Sequence, residues 1–255
     1  MDKILKYVLY DIVRNRIVIG YTLFLLVASM GLFALESDPS KAVLSLLNVI
    51  LLTVPLISII FATIHFYNSY EFMELLVSQP IKRSQIFLSE YMGTALSLSM
   101  AFLIGVGLPL MLNSPDFTTV SLLLVGVCLT FIFVSLAFLA SVITRDKAKG
   151  IGIALLLWFY FALLYDGLVM FVLFFFSDYP LEQASLAMIT LNPIDLGRII
   201  VLLNIDISAL MGYTGALYKS IFDNATGLLY AFGLMLVWII VPLWIAQRIF
   251  AKKDL

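Results

Sequence analysis

Six runs of apolar residues, separated by shorter polar stretches, set the pattern of this chain. They are Ile17–Leu35, Ala42–Phe66, Met92–Leu112, Thr119–Ile143, Ile151–Phe176 and Thr226–Gln247. A helix needs about 20 apolar residues to cross roughly 30 Å of hydrocarbon, and each run has that length. The runs are continuous rather than alternating, so they predict spanning helices and not the strands of a barrel. The first run is longer than the apolar part of a secretory signal and follows 16 residues of patterned sequence. No A-x-A site follows it, so it is expected to stay as a span.

The stretch Tyr67–Tyr91, YNSYEFMELLVSQPIKRSQIFLSEY, lies between the second and third runs and is polar, charged and in two pieces. Ser69–Val77 predicts an amphipathic helix, with Phe72, Leu75 and Leu76 at i, i+3, i+4 spacing and Glu71 and Glu74 displaced around it. Pro80 ends that helix, because proline disfavours helix at Gln79 and removes a donor. A second short helix, Arg83–Glu90, is expected to lead into the next run. Asp2–Arg16 also reads as amphipathic: Ile4, Leu5, Val8, Ile12 and Val13 share a face, and such a helix lies in the headgroup layer. The fold class expected is an all-α polytopic membrane protein with six spans, an N-terminal interfacial helix and a helix lying across the membrane face at 67–91.

Composition strengthens this. Of 255 residues, 63% are hydrophobic and 12% charged, whereas soluble domains average about 45–50% apolar and about 25% charged. A net charge of −1 gives no field for nucleic acid. The single cysteine, Cys128, excludes an internal disulfide and reads as a packing residue. Lysine and arginine set the orientation. With the N-terminus inside, Lys3, Lys6, Arg14, Arg16, Lys82, Arg83, Arg145, Lys147, Lys149, Arg248, Lys252 and Lys253 are cytoplasmic, and only Lys41, Arg198 and Lys219 are outside. Both termini and the 67–91 segment are then expected in the cytoplasm. The short basic loop Thr144–Lys149 either fixes topology or offers a second contact to a soluble partner.

Candidate chemistry is sparse. His65 is the only histidine, and with no acidic or cysteine partner near it in sequence it predicts neither a metal site nor a catalytic dyad. Asp166 lies at mid-depth in the fifth run, where a carboxylate costs roughly 2.5–3.5 kcal/mol, so it either lines a pathway or locks two helices. Trp158, Tyr160 and Tyr165 precede it and are candidate partners or cavity linings. Ser177–Ala225 is expected outside, as short helices dipping into the outer leaflet. Within it Asn192 and Pro193 suit a helix start, and Asp195 sits in the first turn, where the helix dipole favours an anion. Met188 and Met211 read as filler rather than soft metal ligands. No G-x-x-x-x-G-K-[ST] loop occurs, so any ATP is expected to be hydrolysed on another chain.

The layout resembles the membrane subunits of ABC transporters of the type-2 exporter class, over the whole chain. ELLVSQPIKRSQIFLSEY (Glu74–Tyr91) is similar to that class in its order of leucine pair, proline, hydrophobic, basic residue and I-x-L. It departs at Glu90, where a basic residue is common. W-x7-D (Trp158, Asp166) and LNPIDLGRII (Leu191–Ile200) resemble, within that class, the permeases of nitrous oxide reductase maturation systems. The resemblance implies a homodimer with two cytoplasmic ATPase subunits that carry ATP and magnesium, no cofactor on this chain, and a bacterial inner-membrane location. It also implies a periplasmic partner protein and a sulfur- or copper-related cargo. Coupling to the ATPase would fall to Glu71, Glu74, Pro80, Lys82 and Arg83, a pathway role to Asp166, Trp158 and Tyr165, and an outer motif to Asn192, Pro193, Asp195 and Arg198. The alternatives are a generic exporter of lipid, drug or polysaccharide, an intramembrane enzyme using Asp166 or His65, and a membrane scaffold.

Overall fold

Each predicted span is helical in the computed structural model, which describes residues 2–144, 146–176, 187–204 and 225–252. In chain order the helices are α1 (Asp2–Val13), α2 (Arg16–Leu35), α3 (Pro39–Asn68), α4 (Tyr70–Val77), α5 (Arg83–Phe102) and α6 (Leu108–Asn113). They continue with α7 (Phe117–Ile143), α8 (Lys147–Phe159), α9 (Tyr165–Phe175), α10 (Pro193–Asn204) and α11 (Ala225–Lys252). A π-helical turn, Leu103–Gly107, joins α5 to α6, and another, Tyr160–Leu164, joins α8 to α9. Among the described residues, six units are long and apolar enough to span a membrane: α2, α3, α5–α6, α7, α8–α9 and α11. The protein is an all-α polytopic membrane protein. Successive spans alternate in direction, so α1, α4, the 144–149 loop and the end of α11 share one end of the bundle, called here the near end.

Short polar side chains start the helices. Asn15 accepts from the Ile17 amide at 2.9 Å, Asp38 from Ser40 at 2.9 Å, and Asp146 from Ala148 at 2.8 Å. Each satisfies a donor that the first turn leaves orphaned. Asn15 thus divides the predicted 2–16 helix, ending α1 at Val13. α1 does not simply rest on the headgroup layer: Val8 and Ile12 are buried, and Val8 fills the space beside Gly93 of α5. Arg83–Glu90 is not a separate helix either. It forms the first turns of α5, which runs unbroken into the span because nothing between Glu90 and Met92 breaks a helix and Glu90 is itself buried.

Burial divides the spans unequally. In α3, α5–α6 and α7, 50%, 61% and 67% of the apolar window is buried, against 22%, 11% and 17% in α2, α8–α9 and α11. The core is therefore α3, α5 and α7, with α7 touching α3, α5, α8, α10 and α11. Near-end aromatics bind this core together: Phe66 meets Phe138 at 5.2 Å between centroids and Phe87 meets Phe250 at 5.1 Å.

Interruptions of the helical ladders are repaired by neighbouring helices. Pro109 has no amide hydrogen to give the Gly105 carbonyl, and Ser29 Oγ of α2 donates to that oxygen at 2.9 Å. Pro242 likewise frees the Trp238 carbonyl, which Ser135 Oγ of α7 approaches at 3.5 Å. Trp158 Nε1 donates to the Leu52 carbonyl at 3.3 Å, one residue beyond the oxygen that Pro55 frees.

Candidate functional site

Two clusters carry the chain's polar chemistry, one at each end of the bundle. At the near end the α4 helix buries Met73 and Leu76 and half-buries Phe72, while Glu71, Glu74 and Leu75 face outward. The predicted apolar face is therefore rotated: Leu75, counted on it, is 67% exposed on the side that also carries Glu71 and Glu74. The Tyr7 ring of α1 lies 5.2 Å from the Phe72 ring, so α1 braces α4 from one side. Thr144, Lys147 and Gly150 pack against the end of α3, just before α4. Lys147 Nζ donates to Asn68 Oδ1 at 2.8 Å, the Tyr67 hydroxyl bonds Thr144, and Tyr67 covers Gly150 so closely that a Cβ there would clash. The turn after α4 exposes Ser78, Gln79, Pro80 and Lys82, and α5 starts at Arg83. Arg145, Lys253 and residues 177–186 and 205–224, with Met211 and Lys219, lie outside the described residues.

Beneath α4 the structure corrects the reading of His65. Its Nε2 lies 3.2 Å from Glu90 Oε2, and both side chains are buried. An acidic partner does exist: Glu90, covered to 1% exposure in the first turns of the helix that begins at Arg83. Their separation of 25 positions in the chain hid the pair.

At the far end α10 meets the fifth span. Asn192 is fully buried and its side chain makes three bonds. Its Oδ1 accepts from the Ile194 amide at 3.0 Å, capping α10, with Pro193 at the first helical position. Its Nδ2 donates to the Phe161 carbonyl in the π turn at 3.0 Å and to Asp195 Oδ2 at 2.8 Å. Arg198 Nη1 donates to Asp195 Oδ1 at 3.0 Å and to Asp166 Oδ2 at 3.3 Å. Asn192, Asp195 and Arg198 share one face of α10, as their spacing of three requires. Asp166, Asp195 and Arg198 form the polar end of an open cavity of about 380 Å³, walled by Val169, Leu173 and Ile199. Trp158 and Tyr165 do not join it. Trp158 is committed to α3, and the Tyr165 hydroxyl donates to the Met188 carbonyl. α10 also packs deeply: the space beside Gly197 is filled by Val125 and Leu129, about two to three turns inside α7.

Burial raises the Asp195 carboxyl to about 6, assisted by the Asp166 charge and opposed by Arg198. An acid whose folded value lies above its unfolded value of about 3.8 stabilises the fold most at low pH, and that contribution is lost as pH rises through about 6. The stability of the native chain relative to Asp195→Asn is accordingly expected to fall by as much as about 3 kcal/mol between pH 4 and pH 8. Denaturation of the purified protein measures this, and a difference constant across that range contradicts the assignment.

Comparison with known proteins agrees with this architecture. The ABC-2 family transporter protein description matches residues 3–255. A Pseudomonas aeruginosa protein described as "Probable ABC transporter permease protein NosY" is 28% identical over 269 residues, covering 97% of this chain and 96% of its own. A protein of the same description from Stutzerimonas stutzeri is 27% identical over 214 residues, covering 75% of this chain and 77% of its own. With six spans, no recognisable ATP site and a family match over nearly its whole length, the chain belongs to the ABC-2 family of transporter proteins, as the membrane subunit of an ABC transporter.

Proposed function

We propose that this chain is the permease of a bacterial inner-membrane transporter that works as a homodimer with two cytoplasmic ATPase subunits. The near end then faces the cytoplasm, in keeping with the excess of lysine and arginine there. The observation that carries the reading is α4: a short helix held against α5 and touched by Tyr7 of α1, which turns Leu75, with Glu71 and Glu74 beside it, to solvent. An apolar anchor within a charged rim is how docking surfaces are built. Pro80, Lys82 and Arg83 continue that surface. The outer cluster of Asn192, Pro193, Asp195 and Arg198 closes on the pathway at Asp166, and the depth of α10 against α7 supports a re-entrant reading of it.

For cargo, we favour a sulfur- or copper-related species used to mature a copper–sulfur cluster in nitrous oxide reductase, handed to a periplasmic partner. The LNPIDLGRII string and the description of the two relatives support it.

Docking is tested by co-purification with the ATPase subunits. Glu71→Arg with Leu75→Asp is expected to lower the retained ATPase at least tenfold while the chain still inserts and melts as native. Undiminished retention overturns the reading. The cargo is tested by deleting the gene in its host: nitrous oxide reductase is expected to lose the spectrum of its copper–sulfur cluster, and an unchanged spectrum leaves a lipid, drug or polysaccharide exporter.

A further inference from the structure

We propose that His65 and Glu90 form a buried relay that passes displacement of α4 to the third span. The inference rests on the docking reading above. Three residues from three elements meet at one nitrogen. His65, in the last turn of α3, places Nε2 3.2 Å from Glu90 Oε2 of α5 and 3.4 Å from Ser69 Oγ, the residue that closes α3 and starts α4. Ser69 is also fastened through its backbone to both helices: its amide donates to the His65 carbonyl at 2.8 Å, and its carbonyl accepts from Met73 at 2.9 Å. The His65 ring cannot turn freely, because Phe61 stacks on it at 5.9 Å with 5° between planes. Glu90 is held to its own helix by Thr94, whose Oγ1 donates to the Glu90 carbonyl at 2.8 Å.

The site is poised between two arrangements. When Nε2 carries its hydrogen, that one hydrogen serves either Glu90 or Ser69. Glu90 is 1% exposed and its Oε1 already lacks a hydrogen-bond partner among the described residues. If α4 moves so that Ser69 takes the hydrogen, both carboxylate oxygens are left bare in a buried site. That state is strongly disfavoured, so α5 has to shift until Glu90 regains a donor, from the Ser69 hydroxyl or from His65. A movement at the surface thereby becomes a choice between discrete positions of a span. His65 and Glu90 are positioning residues in this scheme, and neither touches cargo or nucleotide.

The test uses the whole transporter, permease with its ATPase subunits, in bilayer nanodiscs of bacterial phospholipid. Spin labels are placed at Leu35 and Leu112, both exposed at the far end, in a Cys128→Ala background. In the otherwise native protein the inter-label distance is expected to change on ADP–vanadate trapping. Glu90→Gln keeps the shape of the side chain but replaces one carboxyl oxygen with an NH2 group. It is expected to retain the ATPase subunits, leave KM for ATP unchanged, lower kcat about tenfold and abolish the distance change. Ser69→Ala, at a half-exposed position that folding tolerates, is expected to do the same from the α4 side. The exchange His65→Glu with Glu90→His is expected to restore both readouts. A distance change and kcat that survive in Glu90→Gln and Ser69→Ala, with only the melting temperature lowered, would show the pair to be cement and overturn the relay. If the unaltered chain holds no ATPase at all, the docking reading fails first and the relay with it.

Discussion

Asn192→Leu is expected to detach α10 from the fifth span and to cost about 3 kcal/mol of stability. The estimate sums separate losses. Removing the side-chain acceptor that caps α10 costs about 1 kcal/mol. The Phe161 carbonyl in the π turn then has no donor from Asn192, and an unpaired buried acceptor costs about 1–3 kcal/mol. Asp195 loses a hydrogen bond as well, while its contact with Arg198 remains. Asn192→Asp separates these effects. It preserves the acceptor for the Ile194 amide but offers no donor while ionised, and it sets a carboxylate beside Asp195 and the Phe161 oxygen. The Asp variant is therefore expected to approach native stability as pH falls toward 4 and the added carboxyl gains a proton, whereas the Leu variant stays unstable throughout. Denaturation curves for the three proteins at pH 4.5 and pH 8 read this directly. Equal melting of native and Leu proteins would mean that the Asn192 bonds contribute nothing.

That network shows how far a sequence can be read. The six spans were legible because continuous apolar runs of that length admit few structures in lipid. The Pro193 start and the common face of Asn192, Asp195 and Arg198 were legible because helical period alone fixes them. What joins Arg198 to Asp166 was not, since the two lie 32 residues apart and only packing brings them together. The same holds for His65 and Glu90. The weak signal available there was the mismatch of Glu90 with its apolar surroundings: an acid buried in the first turns of a span needs a partner, and the chain has only one histidine. Nor was the division into core and outer spans legible, because in lipid a buried face and a lipid-facing one are equally apolar. The rotated face of α4 has a similar cause. With Phe72, Met73, Leu75 and Leu76 all apolar, eight residues admit two faces, and the Tyr7 contact helps select one.

Gly105→Leu is expected to cost about 4 kcal/mol and to leave little monodisperse protein after extraction. A Cβ at this position would stand 2.8 Å from the Thr22 carbonyl oxygen and 2.8 Å from Leu25 Cβ. Both belong to the backbone or first side-chain atom of α2, so no rotamer change relieves the clash and α2 has to move bodily. Overpacking of this kind costs about 1–3 kcal/mol, and the displacement also withdraws Ser29 from the Gly105 oxygen that Pro109 leaves without its helical donor, adding about 1–2 kcal/mol. Ser29→Ala isolates the second effect and is expected to cost about 1–2 kcal/mol with the spans still in contact. Gly31→Ala, on the same α2 helix but with nothing within 4 Å of the added carbon, is the control. It is expected to be neutral or stabilising by up to about 1 kcal/mol, since alanine is the better helix former. Thermal melting of the detergent-purified proteins ranks the three. A Gly105→Leu protein that melts with the Gly31→Ala control would show that α2 is not seated against the π turn, and that the third span is not held there by the first.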